Sequence, residues 1–154
     1  MQLTRRADYA LRVLLHVGAH PNERITAGRV ARDFGLSAHH VSKVAMDLAH
    51  LGWLRGVRGR GGHFELAVEP DQICIGEVVR KMEPASALVE CFDMASNTCP
   101  IAGVCGLERA LGNAQAAFYG VLDGFTLADV LVNRRALAGR LAKAAAAAML
   151  SAQA

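Results

Sequence analysis

Apolar residues recur at helical spacing along most of this chain. Leu11, Leu14, Leu15 and Val17, with Tyr9 and Ala10 a turn earlier, mark one face of a helix over residues 4–18, capped by Thr4 and stopped by Gly18. A short loop, His20-Pro21-Asn22, follows. Thr26 then caps a short helix, AGRVARDFG, whose buried stripe is Val30, Ala31 and Phe34 and whose stop is Gly35. Ser37 caps the next, AHHVSKVAMDLAHLG, with Val41, Val44, Ala45 and Leu48 on its inner face. Two short helices joined by a tight glycine-containing turn predict a helix-turn-helix. Trp53–Val57 and His63–Val68 read as strands, and Gly in the intervening Arg58-Gly59-Arg60-Gly61-Gly62 can take positive φ in the turn. A basic hairpin directly after a helix-turn-helix is a wing, with Arg55, Arg58 and Arg60 projecting from it.

The second half changes character at Pro70. Ile75–Met82 predicts a short helix with Cys74 at its cap position and Pro84 as its end. Residues 85–104 form a loop rich in Gly, Pro, Ser and Asn. Helical spacing returns from Cys105 to Leu122, where Leu107, Leu111, Ala114, Phe118 and Val121 recur three or four apart. Gly106, Gly112 and Gly120 lower the helix propensity of that stretch, so packing must hold it. Its apolar positions need somewhere to bury, and a second copy of the chain is the economical partner. Thr126-Leu127-Ala128-Asp129 resembles a capping box opening a further short helix. Arg134 to Leu150 either continues as an Ala-rich helix or frays. The expected fold is mainly α: a winged helix-turn-helix with a β-hairpin wing (1–70), a cysteine loop with dimerisation helices (71–133), and an Ala-rich tail (134–154).

Charge sharpens this division. The chain of 154 residues carries a formal net charge of +3. Residues 1–65 hold ten Lys and Arg against five Asp and Glu, or +5, and all six His; the remainder holds seven against nine, or −2. Basic charge gathered on the first part is the electrostatic footprint of a nucleic-acid binder. The start of the chain has Asp8, Arg12 and His16 spread through its apolar positions, which a secretory signal would not tolerate, and no apolar run approaches the roughly 20 residues of a membrane span. A cytoplasmic protein without a membrane role is expected. No nucleotide loop or nucleophile–base pair is evident, so an enzyme is not expected.

Two groups of residues carry chemistry. The N-terminal part of a recognition helix enters the major groove, and here it presents Ser37, Ala38, His39, His40, Ser42 and Lys43 to base edges and phosphates. Arg58, Gly59 and Arg60 at the wing tip would meet a minor groove or phosphate. The second group is CFDMASNTCPIAGVC, in which Cys91, Cys99 and Cys105 stand in a Cys-x7-Cys-x5-Cys pattern. In a reducing cytosol clustered thiols read as metal or redox groups before disulfides. Thiolates select zinc, copper(I) or iron–sulfur clusters. Spacings of seven and five fit structural zinc poorly and suit a wider cluster. Three cysteines leave one position open, for Cys74, a His, a carboxylate or an external molecule.

LTRRADYALRVLLHV, FGLSAHHVSKV, VRGRGGHFEL, IGEVVRKMEP, the cysteine loop and FTLADVL, in this order from Met1 to about Asn133, resemble the iron–sulfur winged-helix regulators. LVECF with its cysteine spacing is closest to their nitric-oxide-sensing branch. The branch that governs cluster assembly carries another spacing and a downstream His ligand, neither of which is found here. The resemblance implies a homodimeric repressor that binds palindromic operator DNA while its cluster is intact and releases it when nitric oxide attacks. It implies Cys91, Cys99 and Cys105 as cluster ligands, with Asp8 of the partner subunit as a fourth. Three thiolates and a carboxylate suit a 4Fe-4S cluster, with 2Fe-2S as the alternative. A sibling regulator sensing iron, cluster supply or redox state is the second reading. Cys74 and the tail after Arg140 match no feature of these regulators.

Overall fold

The computed structural model describes residues 2–57, 62–83 and 88–151. Within them run α1 (Arg5–Ala19), α2 (Ala27–Phe34), α3 (Ala38–His50), the strands β1 (Leu54–Val57) and β2 (His63–Leu66), then α4 (Ile75–Met82), α5 (Gly106–Asp123), α6 (Leu127–Val130) and α7 (Arg134–Ser151). The fold is mostly helical with one small antiparallel sheet, as expected of a winged helix.

Local chemistry sets the boundaries. The Thr4 hydroxyl accepts the Ala7 N–H at 3.2 Å and the Thr26 hydroxyl accepts the Arg29 N–H at 3.1 Å, each replacing a hydrogen bond the first helical turn cannot make. Gly35 ends α2 at φ +65°, a conformation that costs glycine nothing. Gly18 does not stop α1 as its sequence position predicts. The helix runs on to Ala19, and Gly18 is small for another reason: a Cβ there would press against Leu131, just beyond α6.

In the hairpin, Leu54 lies opposite Leu66 and Val57 opposite His63. The Phe64 N–H donates to Ile25 O at 2.8 Å, which fastens the wing to the loop before α2. The tip carrying Arg58, Gly59 and Arg60 lies outside the described residues. Arg55 is exposed on the hairpin, as expected of a projecting side chain. It stands directly across from Glu65 and pairs with it at 2.8 Å.

One hydrophobic core joins α1, α2, α3 and β1 to residues beyond Pro70: Ile73, Ile75, Val78 and Met82 around α4, and Leu127 and Leu131 around α6. Backbone bonds stitch the junction, with Ile75 N–H donating to Phe125 O at 2.9 Å and Leu127 N–H to Ile73 O at 2.8 Å. The Thr4 N–H reaches Glu83 Oε1 at 2.8 Å, tying the start of α1 to the end of α4. Thr126 and Asp129 form the capping box that their spacing predicts.

α5 behaves differently from the other long helices. None of its 18 residues is buried within the chain. Leu111, Phe118 and Leu122 are half-buried, while Leu107, Ala114 and Val121 of the predicted stripe are exposed. Phe118 and Leu122 close an apolar cavity of about 160 Å³ together with Leu3 and Leu11 of the α1 side and Ile75 and Val79 of α4. α7 is a continuous helix. It lies against α2 and α1, with Leu141 buried and Leu137 half-buried beneath it. Among the described residues no helix is long and apolar enough to cross a membrane.

Candidate nucleic-acid interface and metal centre

α3 divides its residues between the core and solvent. Val41, Val44, Ala45 and Leu48 fix one face in the core. That leaves Ser37, Ala38, His39, His40 and Lys43 exposed at its N-terminal end and Ser42 half-exposed beside them. Ser37 is the exposed N-cap residue, and its hydroxyl makes no capping bond to the first-turn N–H groups. Amide donors and a helix dipole aimed at solvent form a ready site for phosphate. The His39 and His40 rings sit 5.9 Å apart between centroids and present donors or acceptors according to tautomer. At the other end, Arg6 of α1 pairs with Asp47 of α3 at 2.9 Å, holding the helix from the side away from its tip.

Deeper in the same body, His16 Nε2 lies 2.8 Å from Asp33 Oδ2 and joins α1 to α2. The His16 ring also stacks on His20, with centroids 4.7 Å apart. Burial pushes the His16 pKa down, partly offset by its bond to Asp33. This pair is structural, and sequence reasoning does not single it out.

The cysteine loop is held by short polar braces. The Glu90 carboxylate accepts from the Thr98 N–H at 2.7 Å and from the Thr98 hydroxyl at 2.5 Å. Asp93 accepts from Ser96 Oγ at 2.6 Å and from the Ala95 N–H at 3.1 Å. Asn97 Oδ1 accepts the Cys99 N–H at 3.0 Å. Glu108, in the first turn of α5, accepts the Gly103 N–H at 2.9 Å. Sequence reasoning passes over these acids and Asn97. The signal is present all the same: Asp, Asn, Ser and Thr within a few residues of one another are the usual formers of local side-chain-to-backbone turns.

All four cysteines are free thiols and all are half-buried. Cys91 lies in a 3-10 turn, Cys99 in the loop, and Cys105 caps α5. Their placement brings Cys99 and Cys105 within electrostatic reach of Cys91. Burial, then the Glu108 carboxylate, then these two thiols push the Cys91 pKa up. Three soft donors and a nearby acid crowd one another when ionised, and such a set is relieved by cationic iron. The donor chemistry therefore fits an iron–sulfur cluster. Among the described residues no three His, Cys, Asp or Glu side chains converge on a single-ion site. Asp8 stands apart on α1. Within the chain its carboxylate pairs with Arg12, Nε to Oδ1 at 3.0 Å and Nη2 to Oδ2 at 2.8 Å. Cys74 caps α4, and its sulfur lies 3.8 Å from the Asp123 backbone and side-chain oxygens, remote in sequence from the loop.

Comparison with known proteins places these features in context. The family model Rrf2, an iron-dependent transcriptional regulator, matches residues 3–133. The HTH-type transcriptional regulator NsrR of Geobacillus kaustophilus is 46% identical over 138 residues, covering 89% of this chain and 94% of that one. The protein of the same name from Bacillus subtilis is 43% identical over 135 residues, covering 87% and 92%. Among solved structures, T. potens IscR superposes with a TM-score of 0.69 over 86% of this chain and 88% of that one, at 21% identity, and shows the likeness of fold.

Proposed function

The chain belongs to the Rrf2 family of transcriptional regulators, and from that premise we propose a homodimeric DNA-binding repressor whose operator affinity is governed by an iron–sulfur cluster that reacts with nitric oxide. The observation that carries the reading is the joint presence, in one chain, of three free, half-buried thiols in and beside one loop and of a helix, α3, whose N-terminal end is exposed. Relatives named NsrR at 43% and 46% identity over most of the chain support it.

Cys91, Cys99 and Cys105 would hold the cluster, with Asp8 of the partner subunit as the fourth ligand. Ser37, Ala38, His39, His40, Ser42 and Lys43 would read one half of a palindromic operator, with Arg58, Gly59 and Arg60 of the wing on the flanking backbone or minor groove. When bound, a 4Fe-4S cluster supplies iron that nitric oxide attacks, and a 2Fe-2S cluster would offer the same. The chain's own part is mechanical. Cys105 begins α5 and Asp123 ends it. Asp123 is gripped by Arg80 of α4, and α4 shares the core of the reading body. A cysteine loop that is held or released therefore bears on the reading body through one helix. A carboxylate is a harder and weaker partner for iron than a thiolate, so Asp8 would leave one corner open to a small ligand.

The test is an anaerobic titration of the as-isolated protein with nitric oxide, following visible absorbance and retention of promoter DNA in the same samples. Joint loss at a few nitric oxide per cluster is expected. A protein–DNA complex that outlives its cluster would transfer the switch to iron supply or redox state, the sibling reading.

A further inference from the structure

The family model ends at residue 133, and the last described helix, α7, begins at the next residue. From Arg134 to Ser151 it contains Arg134, Arg135, Arg140 and Lys143 and no acid. Leu137 and Leu141, one turn apart, press it onto α2 and α1. At 100° per residue this turns Arg135 and Lys143 away from the core and sets Arg140 on the flank, and all three are exposed. The body of the protein treats several arginines otherwise: exposed Arg6, Arg55 and Arg80 and half-buried Arg12 and Arg29 each meet a carboxylate. Among the described residues none of the four α7 cations does.

In a helix-turn-helix the first of the two helices crosses the sugar–phosphate backbone while the second reads the groove. The first here is α2, and α7 is the helix laid along it. A single-sign strip beside the element that crosses the backbone matches a polyanion in charge, whereas an ordinary solvated face mixes both signs. We propose that α7 is an added phosphate clamp: Arg135, Arg140 and Lys143 hold the DNA backbone flanking each half-site, raising affinity for duplex of any sequence. This rests on the DNA-binding reading above and extends its footprint to a segment outside the family match. Leu137 and Leu141 are positioning residues in it, since they set the basic face without touching DNA.

The test uses the full-length, cluster-loaded protein, a 30-base-pair duplex of arbitrary sequence, and a promoter fragment, each titrated across a series of salt concentrations. The variant is Arg135→Gln, Arg140→Gln, Lys143→Gln combined, which leaves Leu137 and Leu141 in place. Every phosphate no longer neutralised should shallow the slope of log affinity against log salt by about 0.9. The clamp predicts a slope shallower by about two to three such steps per subunit, or about four to six for a dimer seated on the duplex, and affinity lowered by a similar factor on each duplex. A second variant, Leu141→Glu, keeps the three cations but undocks the helix, and should lose the same part of the slope. Unchanged slopes in the Gln variant would overturn the clamp while leaving the DNA-binding reading intact. Weakening on the promoter alone would overturn it too, because phosphate recognition carries no sequence preference. Failure of the parent protein to bind either duplex would remove both readings together.

Discussion

Arg80 grips Asp123 with two parallel hydrogen bonds, Nη1 to Oδ1 at 2.6 Å and Nη2 to Oδ2 at 2.5 Å. Its guanidinium also lies 4.7 Å from the centre of the Tyr119 ring. The pairing holds the Asp123 carboxyl below its ordinary pKa and fixes the end of α5 on α4. Both side chains are about two-fifths exposed, so solvent screens the pair and it adds little to stability. Under the proposed function, its part is to couple the cysteine loop to the DNA-binding body. Arg80→Ala should melt within a few degrees of the parent and load cluster normally. The ratio of DNA affinities between cluster-loaded and cluster-free protein should shrink, as read by fluorescence anisotropy. A ratio equal to the parent's would take the α4–α5 clamp out of the signalling path.

The same junction depends on an absence of bulk. A Cβ on Gly76 would run into Asp123, including its backbone nitrogen, which has no flexible end to move aside. Gly76→Ala should destabilise the protein by about 1–3 kcal/mol through overpacking. Thermal unfolding measures it, and a melting temperature equal to the parent's would mean that the two helices sit further apart.

Acid should weaken the reading body through His16. Its pKa is lowered in the fold, chiefly by burial, so the folded protein keeps it neutral while the unfolded chain takes up a proton near the ordinary value of 6.5. More protons bound by the unfolded state means stability that is present above about pH 6.5 and is lost as pH falls below it. Urea midpoints measured from neutral pH downward should fall across that window. His16→Ala should cost about 3 kcal/mol, because it strands the buried Asp33 carboxylate without its nearest partner. Midpoints that rise on acidification would contradict the neutral assignment.

Asp8 separates the two roles open to it. Its pair with Arg12 is only half-buried and spans one turn of α1, a geometry that contributes about 0.3–0.5 kcal/mol. Asp8→Ala should therefore leave the melting temperature of cluster-free protein nearly unchanged. If it serves the partner subunit's cluster, visible absorbance should bleach faster in the variant under nitric oxide, whereas Cys99→Ala should lose that absorbance altogether. Bleaching at the parent's rate would return Asp8 to a surface role.

Much of the fold is legible because its elements announce themselves locally. Thr4, Thr26 and the Thr126–Asp129 box cap where their chemistry says, and Val41, Val44, Ala45 and Leu48 are all buried as their spacing predicts. What fails depends on distant partners. Gly18 reads as a stop signal, while its smallness answers to Leu131, more than a hundred residues away. Arg55 projects from the hairpin as its position suggests, but its pairing with Glu65 is set by hairpin register, which is not visible in the order of residues. The cysteines stand out by spacing. Their braces, Glu90, Asn97 and Glu108, take meaning only once the loop is folded. Asp8 follows from family resemblance, and its pair with Arg12 is what helix spacing alone would supply.

α5 buries none of its residues within one chain, although Leu107 and Val121 stand on its surface. On the paired reading, its order is a collective property. Where single chains predominate, paired chains grow as the square of total protein, so halving expression would quarter the species able to cover a two-fold operator. A regulator built this way would count its own copies as well as its signal, and gene dosage would set where on that steep curve a cell begins.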